Sequence, residues 1–253
     1  MGCCFNPTFS ESESKAKEDK IKLIDGVKNN TVMLYEPDRQ EDKYRVICAG
    51  VWITPSRFLT ARHCGEAFIE QDEFSALLGA PVNLKKLMGL VIAYGSYEDD
   101  GLTFYLDKGS KPKFAVVVGY DKNDDLLLLE SIDESTHTFA KVNQEKVWQG
   151  ENVFVVGHPL GFTYNFTPGN VAYPEREVDK IFEEELSPHK TPMLQLTSAI
   201  NPGNSGGGVF DENGNLLGIC SFHLTRGIEM SFFVGQNAIY EFLQEEYSLP
   251  QSN

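Results

Sequence analysis

The 253-residue chain holds 37 acidic against 22 basic residues, a net charge of −15, and is 41% hydrophobic. That apolar share is enough for a buried core, and the length suits one generous domain or two small ones sharing a core. The charge argues against a nucleic-acid partner, which needs clustered Lys and Arg, and no apolar run of about 18 residues is present to cross a membrane as a helix.

The chain opens with "MGCCFN", in which Gly2 and the neighbouring Cys3 and Cys4 are the residues that double acylation uses. Position 6 is Asn6, followed by Pro7, where that pattern wants Ser or Thr. Membrane association is therefore expected only if Gly2, Cys3 or Cys4 is lipidated. A charged region followed by an apolar one, as in a secretory signal, is missing, so a cytoplasmic, reducing setting is expected. The five cysteines, at 3, 4, 48, 64 and 220, are too few and too irregular for a disulfide scaffold or a zinc site.

Residues 9–21, "FSESESKAKEDKI", are polar without apolar periodicity and predict that 1–21 is a flexible leader, with the folded domain running over 22–253. Short apolar runs then recur between turn residues: "TVMLYE", "YRVICAGVWIT", "RFLTA", "MGLVIAYG", "FAVVVGY", "DLLLLES", "NVFVVG", "MLQLTS", "GGVF" and "NLLGICSF". Such spacing predicts an all-β sandwich or barrel. In "NAIYEFLQEEY", residues 237–247, Ile239, Phe242, Leu243 and Tyr247 share a helical face, so one C-terminal helix packs on the β core.

Within residues 201–218, "NPGNSGGGVFDENGNLLG", Ser205 sits in a Gly-x-Ser-x-Gly pattern that two hydrolase designs share. An α/β-hydrolase elbow places that serine between a strand and a helix, with its acid and histidine downstream. Here three glycines follow, and Asn213-Gly214 reads as a two-residue hairpin turn between strands. That context rejects the elbow. The other design takes its histidine and acid from upstream. His63 ends the strand-like run "RFLTARHC", and Asp125 precedes the run "LLLLES", where a carboxylate can be shielded from water. Asp124 and Asp121 lie close by, but Asp125 alone abuts the strand.

With these blocks in hand the chain resembles the trypsin/chymotrypsin-fold serine proteases, nearest the HtrA/Deg and glutamyl-endopeptidase-like branches. The segments "GVWITPSRFLTARHC", "DKNDDLLLLES", "GENVFVVGHPLGF" and "LTSAINPGNSGGGVFDENGNLLGI" carry the resemblance, which runs from about residue 30 to 240. It implies two six-stranded β-barrels, about 30–135 and about 145–235, with the reactive groups in the cleft between them. It also implies Ser205 as nucleophile, His63 as general base and then acid, and Asp125 as the group that orients His63. The backbone N–H groups of Gly203 and Ser205 would form the oxyanion hole. A serine endopeptidase acting on protein or peptide substrates, with no cofactor, is the expected function. The alternative is a binding or scaffold protein that keeps the fold and has lost catalysis.

The resemblance extends to finer points. Asn204 stands where zymogen-activated trypsins carry an aspartate, so activity without trypsin-type N-terminal processing is expected. Cys48 and Cys64, sixteen residues apart, resemble the spacing of the family's disulfide beside the histidine, while the missing signal favours free thiols, and the pairing stays open. The primary pocket would be lined by Ala199, Ile200 and Asn201 and by Ser221, Phe222 and His223. Its floor lacks the carboxylate that selects basic residues, which favours a small or medium apolar residue before the scissile bond. His137, His158 and His189 lie in turn-like surroundings without clustered ligands, so no metal is expected.

Overall fold

The computed structural model describes residues 11–37, 44–66, 87–91, 95–97, 103–106, 113–132, 136–178, 191–224 and 230–247. Gly2, Cys3, Cys4 and His189 lie outside them. Among the described residues no helix is long and apolar enough to cross a membrane.

The alternating apolar runs form two antiparallel sheets. The first contains β1 (Thr31–Pro37), β2 (Tyr44–Trp52), β3 (Arg57–Ala61), β4 (Leu87–Val91), β5 (Gly95–Tyr97), β6 (Thr103–Leu106), β7 (Lys113–Asp121) and β8 (Leu126–Ser131). Its order is β1-β4-β7-β8-β3-β2-β6-β5, and a further β1–β2 pairing joins six of these strands into a ring, from which β6 and β5 extend beyond β2. The ring of six corresponds to the first barrel expected, and among the described residues β5 and β6 are added to it. The second is a closed barrel in the order β10-β11-β14-β13-β12-β9. Its strands are β9 (Asn152–Gly157), β10 (Asn165–Arg176), β11 (Met193–Leu196), β12 (Gly208–Phe210), β13 (Leu216–Leu224) and β14 (Met230–Gly235).

Three apolar clusters follow from this arrangement. One fills the first sheet with Val32, Leu34, Trp52, Phe58, Leu127 and Leu129. Another fills the second barrel with Val153, Val155, Val209, Leu217 and Phe233. The third lies between them and joins Val51, Leu59, Leu126 and Leu128 of the first sheet to Val156, Phe210, Leu216 and Ile219 of the second. Because side chains alternate across a strand, the four leucines of β8 serve both sides, Leu127 and Leu129 facing inward while Leu126 and Leu128 face the partner barrel. Each buried leucine contributes roughly 1.5–3 kcal/mol.

Two helices flank this seam. The C-terminal helix, here α2 (Gln236–Tyr247), follows the sequence pattern and buries Ile239, Phe242 and Leu243. The other was not foreseen. Residues 11–21, read as irregular leader, belong to α1 (Glu11–Asn29). Its signal is propensity instead of periodicity: the segment is rich in Glu and Lys, which favour helix, and Lys22 pairs with Glu18 one turn earlier at 2.8 Å. Only Leu23 and Val27, four residues apart, dock on the seam cluster, Val27 fully buried. The hairpin joining β12 to β13 also differs from the two-residue turn expected. Asp211 N–H bonds the Asn215 carbonyl, and Gly214 N–H bonds the Asp211 carbonyl. The loop is therefore three residues, Glu212–Gly214, with Gly214 left-handed at φ 81°.

The structure decides the open cysteine pairing. Cys48 in β2 and Cys64, just after β3, form a disulfide with a Cα–Cα distance of 6.1 Å, and Cys220 is a buried free thiol. The bond closes a 16-residue separation. For a loop of that size about 3 kcal/mol is expected from chain entropy, so Cys48→Ala/Cys64→Ala should lower the unfolding free energy in urea by that order, with a steeper transition because the unfolded chain is released to expand.

Candidate active site

Strand pairing brings His63 and Asp125 together. Ala61 lies opposite Leu126 where β3 pairs with β8, and past that point Arg62 N–H donates to the Asp125 carbonyl at 2.8 Å. Both chains leave the sheet here, His63 in a short 3-10 turn and Asp125 with φ 55°, a left-handed conformation that Asp tolerates better than most residues. His63 Nδ1 lies 2.9 Å from Asp125 Oδ2 and 3.2 Å from Oδ1, and His63 N–H donates to Oδ1 at 2.9 Å. Ser221, in β13 of the other barrel, donates its hydroxyl to Asp125 Oδ2 at 2.6 Å.

The neighbouring aspartates have other tasks. Asp124 accepts the Thr191 N–H at 3.1 Å and the Thr191 hydroxyl at 2.8 Å. Asp121 caps its own turn by accepting the N–H groups of Asn123 and Asp124. Only Asp125 meets the imidazole.

The electrostatics follow from these contacts. Burial disfavours the charged form of His63, but the hydrogen bond to Asp125 and the charges of Asp125 and Glu66 outweigh it and hold the ring above its ordinary value. Burial likewise disfavours the Asp125 carboxylate, yet the bonds from His63 and Ser221 and the His63 charge hold it below the usual carboxylate range. The His63 contribution to stability is complete below the unfolded value of about 6.5 and is lost as pH rises through the higher folded value. The Asp125 contribution is present above about 3.9 and is lost as pH falls through its lowered value.

The Ser205 turn of the second barrel lies against β2 and β3. The Ser205 carbonyl accepts Ala49 N–H of β2 at 2.7 Å, and Gly206 N–H donates to the Cys220 carbonyl at 2.8 Å. A Cβ on Gly206, at φ 78°, would run into the Thr60 hydroxyl and the Ala49 carbonyl, so glycine lets the serine turn lie flat against the strand that leads to His63. Upstream, Asn204 N–H donates to the Asn201 carbonyl at 3.0 Å across Pro202 and Gly203, the latter at φ 97°. Proline followed by a left-handed glycine is the signature of a type II turn.

Residues 48–219 match the trypsin-like peptidase domain. The chain belongs to the trypsin-like peptidase family. Over 114 residues it is 37% identical to a probable periplasmic serine endoprotease, DegP-like, of Pseudomonas putida (strain W619), covering 44% of this chain and 22% of that protein. A serine protease HtrA-like of Staphylococcus aureus (strain MRSA252) is 32% identical over 161 residues, covering 60% of this chain and 20% of that protein. The chain thus spans about a fifth of the length of these relatives. In fold it is similar to the HtrA-type protease AlgW with tripeptide, with TM-score 0.62 and 18% identity over 90% of this chain and 64% of that one. A protease of M. tuberculosis in its active form gives TM-score 0.60 and 17% identity, covering 91% and 86%.

The residues expected to line the primary pocket fall in different surroundings. Ala199 and Asn201 are exposed and Ile200 is buried against the second-barrel core. Phe222 stacks on Phe232 at 4.9 Å. His223 pairs with Ser231 in the β13–β14 register, and its side chain lies outside the described residues. Ser221 turns its hydroxyl to Asp125, a part that its sequence position did not suggest. Asn204 is buried, its side chain packed on the Gly157 backbone. Among the described residues one set could approach a metal: Cys48, Cys64 and His63, with ligand atoms within 4.8 Å of one another. The two sulfurs are spent on the disulfide, and thiolates are what a metal requires. In an NMR titration the His63 ring should show a midpoint above 6.5, and Asp125→Asn should bring it below that value, since burial then acts without the carboxylate.

Proposed function

We propose that this domain is a serine endopeptidase that cleaves peptide bonds through an acyl-enzyme. The observation that carries this reading is the chain of hydrogen bonds from Ser221 to Asp125 to His63, set where the first barrel receives the Ser205 turn. A serine hydroxyl is too weak an acid to attack an amide at neutral pH, and a neutral imidazole held in one tautomer overcomes this. Ser205 Oγ attacks the carbonyl carbon and its proton passes to His63 Nε2. Asp125 keeps the other proton on Nδ1 and stabilises the imidazolium. The oxyanion is received by the N–H groups of Gly203 and Ser205, and such a donor contributes roughly 3–4 kcal/mol to the transition state. His63 then protonates the leaving amine, and water, activated by His63, releases the acyl group.

Three features support finer expectations. Asn204 lacks the charge that would bind a freshly cut N-terminus, so activity should not require cleavage of the chain. His63 must be neutral to accept the proton, so kcat/KM should fall on the acid side through an apparent pKa above 6.5, the direction in which Asp125 shifts it. Residues 199–201 and 221–223 carry no carboxylate that would select a basic side chain, which supports a small or medium apolar residue before the scissile bond.

A fluorophosphonate probe should label the protein, and Ser205→Ala or His63→Ala should abolish labelling. Asp125→Asn should cut kcat by about 10⁴-fold. An unlabelled wild-type protein would instead identify a trypsin-like fold retained for binding alone. A peptide-library profile dominated by Arg or Lys before the cut would refute the apolar pocket.

A further inference from the structure

Residues 158–164, the loop after β9, pack against the turn that carries Gly203. His158 N–H donates to the Gly203 carbonyl at 3.2 Å and Leu160 N–H to the Pro202 carbonyl at 2.8 Å. The loop therefore holds the carbonyls of both peptides that flank Gly203. A trans peptide carries its C=O and N–H on opposite sides. Fixing the Pro202 carbonyl on the loop accordingly turns the Gly203 N–H away from it. No room exists for a side chain between the two segments, because a Cβ on Gly203 would run into the His158 carbonyl.

The loop has a shape that needs support. Leu160 and Tyr164 both lie in the left-handed region, at φ 52° and 51°, with Gly161 at 84°. For residues with a Cβ this conformation is unfavourable by about 1–2 kcal/mol each, and it persists only where the surroundings over-determine it. His158 supplies that support. Its ring is fully buried, and Nδ1 accepts the Tyr164 N–H at 3.0 Å, closing the loop on itself. Gly161 N–H donates to the His158 carbonyl at 3.1 Å, and the His158 and Tyr164 rings meet edge to face at 4.9 Å. An accepting Nδ1 must be unprotonated, and burial keeps it so by pushing the His158 pKa down to about 4.

We infer that His158 is a positioning residue for the oxyanion site, its ring locking the 158–164 loop so that the loop's N–H groups orient the Gly203 peptide. The inference rests on the peptidase reading. It assigns His158 a task through Gly203, distinct from filling space between the barrels.

The test compares His158→Leu, which retains bulk without an acceptor, with His158→Asn, whose Oδ1 can replace Nδ1. For each, kcat and KM are measured with a peptide substrate, and affinities with a peptidyl boronic acid and with the product peptide. His158→Leu should lower kcat by roughly 10²–10³-fold, the loss seen when one oxyanion donor is removed. KM and product affinity should change less than about twofold, boronate affinity should fall in step with kcat, and His158→Asn should recover most of it. Should His158→Leu not fold, Leu160→Val decides, because a β-branched residue opposes the left-handed conformation at an exposed position: kcat should fall at constant KM. Wild-type kcat and boronate affinity in the decisive variant, or equal losses of boronate and product binding, overturn the inference. Failure of the wild-type protein to react with a fluorophosphonate overturns the peptidase reading instead.

Discussion

The site depends on the apolar seam that joins the two barrels. β8 is apolar on both faces because one face fills its own sheet and the other meets the partner barrel. Strands β2 and β3 share the arrangement, with Val51 and Leu59 turned to the seam and Trp52 and Phe58 turned inward. His63 and Asp125 stand where two of these doubly buried strands end. The strands' register fixes the distance between them, and the packing of Phe210, Leu216 and Ile219 on the far side brings up the segments that carry Ser205 and Ser221.

An apolar seam is also a hostile place for a charge. The Asp125 carboxylate would be strongly disfavoured there without partners. It accepts from the His63 backbone, the His63 ring and the Ser221 hydroxyl, three donors drawn from both barrels. Those donors leave the carboxylate more acidic than in water and the imidazole more basic. The low dielectric that makes an unpaired carboxylate costly is what lets a paired one act strongly on its neighbour. Asp124, one residue earlier, meets the same constraint with Thr191.

Much of the fold was legible because strands buried on one or both faces leave apolar runs punctuated by Gly, Asn and Asp. Other elements rest on a physical signal of a different kind. α1 was missed because its helicity comes from propensity and a single Glu18–Lys22 pair, while only Leu23 and Val27 supply an apolar face. Asn213-Gly214 marks the position of the β12–β13 hairpin but not its length, since the Asp211 side chain, by accepting from Asn213 and Asn215 N–H, draws a third residue into the loop. His63 and Asp125 were legible as a residue after a strand and a residue before one. Ser221 was not, because a serine inside a strand carries no mark of the carboxylate that waits in another barrel.

The amino-acid sequence by itself determined the β class, the C-terminal helix and the residue types able to do acyl-transfer chemistry, since each depends on neighbours within a few positions. Only the tertiary structure decided that Cys48 joins Cys64, that Ser221 braces the carboxylate and that a buried His158 stands behind the Gly203 turn. These depend on register and on inter-barrel contact, which bring together residues far apart in the chain and which local pattern does not encode.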